Sequence, residues 1–128
     1  MSEQLNPPSV PLPVGPYSTA VRLKNGFLFL SGQLPLDRAT GEISGTTVEE
    51  QAGMIFRNIR NILKDCGYLV TDIVKAVIYT TDLKQFGSLN TVYAGFMGDH
   101  RPARTTVEVS SLPKGALVEV ELTCWKES

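Results

Sequence analysis

The side chains of this sequence best placed to do chemistry are an arginine and a glutamate near its C-terminal end. Arg104, Thr106 and Glu108 alternate with Thr105, Val107 and Val109, while Glu119 and Glu121 alternate with Val118, Val120, Leu122 and Cys124. A period of two puts each set on one face of its strand. The polar sets are expected to share the face turned away from any covering helices. A guanidinium there can clamp a carboxylate through two parallel hydrogen bonds, and a nearby carboxylate can orient or deprotonate a water. Arg104 as clamp and Glu119 as water-handling group are therefore the leading catalytic pair. The plainer reading is a solvated charge alternation, but Leu117 and Trp125 share the register of Glu119, which suits packing against another subunit. If residues 110–115 form a simple hairpin connection, Arg104 lies opposite about Leu122, three residues or roughly 10 Å from Glu119. A small ligand can bridge that gap, or the pocket can lie between subunits; the periodicity leaves both open.

Other chemistries find little support. The single histidine, His100, follows a helical segment in Asp99-His100-Arg101-Pro102 and reads as a helix-ending surface residue. The two cysteines, Cys66 and Cys124, sit on apolar faces and read as core thiols; with one histidine they cannot build a Cys/His zinc site. Gly26, Gly32 and Gly41 lie in separate turns and form neither a phosphate-binding loop nor a dinucleotide fingerprint. No Gly-x-Ser-x-Gly turn offers a nucleophilic serine. A net charge of −1 gives no basic stripe for a phosphate backbone, so nucleic acid is not an expected partner. No stretch approaches the roughly 20 apolar residues of a membrane span, and residues 1–8 lack the basic start and apolar run of a secretory signal, so a cytoplasmic protein is expected.

The chain has 128 residues, 42% of them hydrophobic, enough for one domain with one core. Five prolines between Pro7 and Pro16 force an extended run, so residues 1–14 are expected to form an extended N-terminal segment and residues 15–128 the domain. Asn25-Gly26 between two apolar runs signals a β-hairpin. Val48, Ala52, Ile55, Phe56, Ile59, Ile62, Leu63 and Cys66 follow helical spacing, with Thr47 and Glu50 as a capping box and Gly67 as the stop. Residues 73–81, β-branched and apolar on both faces, read as an interior strand. Residues 82–97 carry Phe86, Leu89, Val92, Tyr93, Phe96 and Met97 at helical spacing. The two alternating strands complete the order β-β-(β)-α-β-α-β-β, an α+β mixed sheet with two helices packed on one face.

With the elements in place, the motifs resemble a known family. Gly15-Pro16-Tyr17-Ser18, Leu30-Ser31-Gly32-Gln33-Leu34-Pro35-Leu36, Tyr93-Ala94-Gly95-Phe96, Arg101-Pro102-Ala103-Arg104-Thr105 and residues 112–121 together resemble the RidA (YjgF) family of reactive-intermediate deaminases, over about residues 15–122. The resemblance implies a chorismate-mutase-like fold, a homotrimer with ligand clefts between subunits, and cofactor-free, metal-free hydrolysis of enamines and imines such as 2-aminoacrylate and 2-aminocrotonate to 2-keto acids and ammonia, as a 2-iminobutanoate/2-iminopropanoate deaminase. It assigns carboxylate binding to Arg104 and water positioning to Glu119, with Tyr17, Ser31, Gly32 and Asn90 lining the substrate pocket. Many such deaminases carry a cysteine two residues after the arginine; Thr106 stands there, leaving a substrate contact without a thiol. Two other functions remain in view. One is a non-catalytic 2-keto-acid-binding or regulatory module using the same pocket; the other is the ribonuclease or translation inhibitor activity attached to relatives, which the acidic balance and lone His100 disfavour.

Overall fold

A computed structural model describes residues 2–127. Its strands are β1 (Ser2–Leu5), β2 (Ala20–Leu23), β3 (Phe27–Gln33), β4 (Ile73–Thr80), β5 (Ala103–Glu108) and β6 (Val118–Trp125), and its helices are α1 (Val48–Cys66) and α2 (Phe86–Met97). The hydrophobic period of α1 becomes a buried stripe running from Val48 to Cys66. The Thr47 side chain accepts from the Glu50 N–H at 3.1 Å, and the Glu50 carboxylate accepts from the Thr46 N–H at 2.9 Å. The reciprocal bond of the capping box is thus displaced by one residue. Two polar residues on the same helix face, Gln51 and Asn58, are buried because they hold loops in place. Gln51 bridges the Gly45 carbonyl and the Leu117 N–H, and Asn58 donates to the Leu36 carbonyl.

The six strands form one sheet in the order β1-β2-β3-β6-β4-β5, antiparallel throughout except for the parallel pair β4 and β5. The additional strand is β1, within the N-terminal segment, whereas residues 34–47 contribute only an isolated bridge between Leu36 and Ile43. Residues 110–115 do not form a simple hairpin connection: β4 lies between β5 and β6. The last strand instead enters the sheet between β3 and β4, so those two strands are parallel to one another with β6 filling the gap. Inserting β6 at the centre places its fully apolar row, Val118, Val120, Leu122 and Cys124, under both helices with no more than 2% exposure. The opposite sheet face carries Phe27, Phe29, Val77, Val107 and Trp125, of which Phe29, Val107 and Trp125 are exposed in the single chain.

The proline-rich run is tied down at several points. Asn6 accepts the Thr19 N–H at 3.0 Å, Ser9 bonds the Asp65 carboxylate, and Val10 enters the core. At the other end of the sheet, Gly26 closes the β2–β3 turn with φ +101°, and any Cβ there would sit 1.9 Å from the Lys126 carbonyl oxygen. Among the described residues no helix is long and apolar enough to cross a membrane.

Candidate active site

Register decides where each candidate side chain points. Arg104 pairs with Ala76 of β4 and Thr106 with Ile78, both fully buried beneath the helices. Residues opposite one another in a ladder share a face, so Arg104 and Thr106 point toward the helix layer. Glu119 pairs with Tyr79 and lies on the uncovered face. The expectation that Arg104 and Thr106 share the face of Glu119 is therefore corrected. Arg104 stands in the row of Leu122, with β4 between them. Two strands and three residues separate it from Glu119, about 14 Å between backbones with the sheet intervening.

Arg104 is held at the edge of the sheet by α2. Its Nη1 donates to Asn90 Oδ1 at 2.7 Å. Its guanidinium carbon lies 4.7 Å from the centroid of the Tyr93 ring and 5.4 Å from that of Phe86. Phe86, Asn90 and Tyr93 follow one another at helical spacing, which brings all three to the same side of α2. The structure thus joins Arg104 to Asn90, two residues that the resemblance names separately, and adds two rings that the sequence analysis placed only at helical spacing. A polar residue spaced between aromatic ones on an apolar helix face was the available signal. Among the described residues the only ion pair is Arg22 with Glu3, so Arg104 has no carboxylate partner. The Thr106 and Tyr93 hydroxyls are buried there without a hydrogen-bond partner.

Glu119 occupies a different environment. The β3–β6 ladder breaks register between Leu30 and Gln33, freeing Ser31 and Gly32 from regular pairing. Ser31 turns to the residues leading into β2 instead: its N–H donates to the Thr19 carbonyl at 2.9 Å and its hydroxyl to the Ser18 carbonyl at 2.7 Å. Gly32 remains against the Glu119 carboxylate, where an added Cβ would lie 2.4 Å from Oε2. Burial pushes the Glu119 carboxyl above its ordinary range, with the charge of Glu121 adding to the effect. Tyr79, opposite Glu119, donates a short hydrogen bond to Glu121, and that bond raises the Tyr79 phenol in turn. Tyr79 and Glu121 were not among the sequence candidates; their signal, polar side chains within the ladder around Glu119, needs the strand order to be seen. Tyr17 is half-exposed and borders a cavity of about 40 Å³ that Gly32, Gln33 and Asn58 also line. That space holds about one water.

The remaining candidates are structural. His100 Nε2 lies 2.7 Å from the Ile73 carbonyl. Both thiols are free and buried; burial raises Cys66 and pushes Cys124 up to about 12, so neither offers a thiolate at neutral pH. No group of three or more His, Cys, Asp or Glu among the described residues could hold a metal ion.

An arginine without a carboxylate partner on one sheet face and a partly buried acid on the other mark this small α+β protein. The comparisons give that class its family. The model of the family described as Endoribonuclease L-PSP matches residues 8–125. A RutC family protein of Pyrococcus horikoshii is 42% identical over 127 residues, covering 99% of this chain and 100% of its own. Among solved structures, RidA from an Antarctic Psychrobacter superposes with a TM-score of 0.91 at 35% identity, covering 97% of this chain and 99% of that one. E. coli TdcF with bound serine superposes with a TM-score of 0.91 at 34% identity, covering 98% and 99%. The chain belongs to the YjgF/RidA family, the family of the L-PSP model.

Proposed function

We propose that this protein is a cofactor-free deaminase that hydrolyses 2-imino acids, and the enamines in equilibrium with them, to 2-keto acids and ammonia. The observation that carries the reading is Arg104, a half-buried guanidinium fixed by a neutral amide and by rings but lacking a carboxylate partner. A buried charge is costly without a counter-charge, and the carboxylate of a small organic acid supplies one.

The site is completed between two copies of the chain. Within one copy Arg104 and Glu119 point to opposite faces of the sheet, and the face of Glu119 exposes Phe29, Val107 and Trp125, the kind of apolar surface that another subunit covers. A closed ring of three copies, as in the family the sequence resembles, sets the arginine edge of one subunit beside the Glu119 face of the next. Arg104 of one copy then binds and orients the carboxylate. An enamine first takes a proton at its terminal carbon to become the imine. Glu119 of the neighbouring copy accepts a proton from water as the water oxygen bonds to the imine carbon. Returning that proton to nitrogen makes ammonia the leaving group, and the Glu119 carboxylate then takes the hydroxyl proton as the carbon–nitrogen bond breaks and the carbonyl forms. Burial that raises the proton affinity of Glu119 suits a group that must both take and give the proton. Tyr17 and Gly32 border the water, with Ser31 acting by holding the Ser18–Thr19 backbone; Asn90 and Thr106 border the carboxylate.

The same grip suits a 2-keto-acid-binding module without turnover, and the serine in the TdcF structure shows a relative holding a small amino acid. Generating 2-aminoacrylate or 2-iminobutanoate with a dehydratase and following keto-acid release separates the two. Release above the uncatalysed rate supports the deaminase. Keto-acid binding in calorimetry without such release supports the binding module.

A further inference from the structure

The rings of Phe86 and Tyr93 enclose Arg104 in a way that hydrogen bonding alone does not require. We infer that Phe86 and Tyr93 are positioning residues that hold the Arg104 guanidinium in its anion-binding pose before a ligand arrives; this deepens the proposed function and rests on Arg104 being its carboxylate grip. One of the five guanidinium N–H donors is spent on Asn90, and no other hydrogen bond of the Arg104 guanidinium is found among the described residues. The rest stay available to a carboxylate. An arginine side chain otherwise carries the rotamer freedom of a long flexible stem, which ligand binding would have to remove. Contact with the two ring faces removes it in advance, and each such contact also attracts the cation.

Two details separate this role from ordinary packing. Phe86 is 37% exposed at the start of α2, a poor investment of a large ring in core formation. Tyr93 is buried, but its hydroxyl has no partner, so the ring rather than the phenol acts on Arg104. The inner side of Tyr93 meets Phe56 edge-on at 5.8 Å, and Phe56 stacks on Phe96 at 4.8 Å. The cage therefore stands on the aromatic core and cannot drift.

Calorimetry with 2-ketobutyrate tests the cage independently of turnover. Phe86→Leu is expected to weaken binding about fivefold, to raise KM to match while kcat stays within about twofold, and to leave urea unfolding near wild type. Tyr93→Phe retains wild-type affinity, whereas Tyr93→Leu loses it. In NMR, slow rotation of the Arg104 guanidinium about its Nε–Cζ bond becomes fast in Phe86→Leu. Equal affinity of wild type and Phe86→Leu, or equal losses in Tyr93→Phe and Tyr93→Leu, overturns the cage and leaves the deaminase standing. A wild type that binds no small carboxylate removes the arginine site and its cage together.

Discussion

The two halves of the site are built by opposite means. The Arg104 half is rigid: an edge strand, an amide and two rings on α2 fix one cation in place. The Glu119 half is close-fitting: a break in the β3–β6 register brings Gly32 onto the carboxylate, and Ser31 beside it is tied to the Ser18 carbonyl. Under the proposed function, one half offers an unpaired charge to an anion and the other raises the cost of a charge where a proton would move. Because the two lie on opposite faces of one sheet, that proposal makes assembly a condition of activity.

Substitution separates the halves most sharply at their centres. Glu119→Gln is expected to lower kcat by about 10²–10⁴, as loss of a general acid–base group does. Arg104→Ala acts mainly on KM and keto-acid affinity, by about tenfold to a hundredfold, as loss of a charged hydrogen-bonded grip does. Steady-state kinetics that show the reverse pattern break the division of labour. Stability moves in the other direction. Because burial raises the Glu119 carboxyl from its ordinary 4.5, that group stabilises the fold fully below the ordinary range and loses the contribution as pH rises through its raised value. Glu119→Gln is thus expected to unfold at higher denaturant than wild type at neutral pH, with the gap closing in acid.

Gly32→Ala sharpens the comparison at lower amplitude. Its Cβ would displace the end of a flexible side chain rather than backbone, so the fold persists while Glu119 moves. We expect kcat to drop about tenfold or more and keto-acid affinity to stay near wild type; unchanged kcat would show that the close approach is incidental. The smallest effect belongs to Thr106→Val, which replaces a buried, unpartnered hydroxyl with a methyl group. Stability is expected to hold or rise by up to about 1 kcal/mol, and a clear loss in denaturant unfolding would show that the hydroxyl is bonded.

The elements were legible in the sequence, but the way they pair was not. α1 was evident because its apolar spacing, Thr47–Glu50 signal and terminal Gly67 agree. β4 was evident as an interior strand because it is apolar on both faces. Alternation in β5 was also visible, yet it misled. The usual inference turns the apolar set toward the helices, but Val107 faces the uncovered side while Arg104 and Thr106 face α2. That sheet is apolar on both faces, so polarity alone does not choose between them. Strand order carries no local signature either: nothing within residues 118–125 says that they enter between β3 and β4. Arg104 and Glu119 stood out from strand alternation and Asn90 through the family motifs, whereas the roles of Phe86, Tyr93 and Tyr79 emerge only once neighbours in space are known.

The central claim, that a working site takes its arginine and its glutamate from different copies, is tested most directly by mixing two impaired variants at substrate well below the wild-type KM, where each alone turns over slowly. Arg104→Ala and Glu119→Gln are co-expressed, and deamination of dehydratase-generated 2-iminobutanoate is compared with each variant alone. In a cyclic trimer with sites between subunits, random equal mixing leaves about a quarter of the interfaces with both residues intact, and about that fraction of wild-type activity is expected to return. Mixed assemblies no more active than either parent would contradict the account.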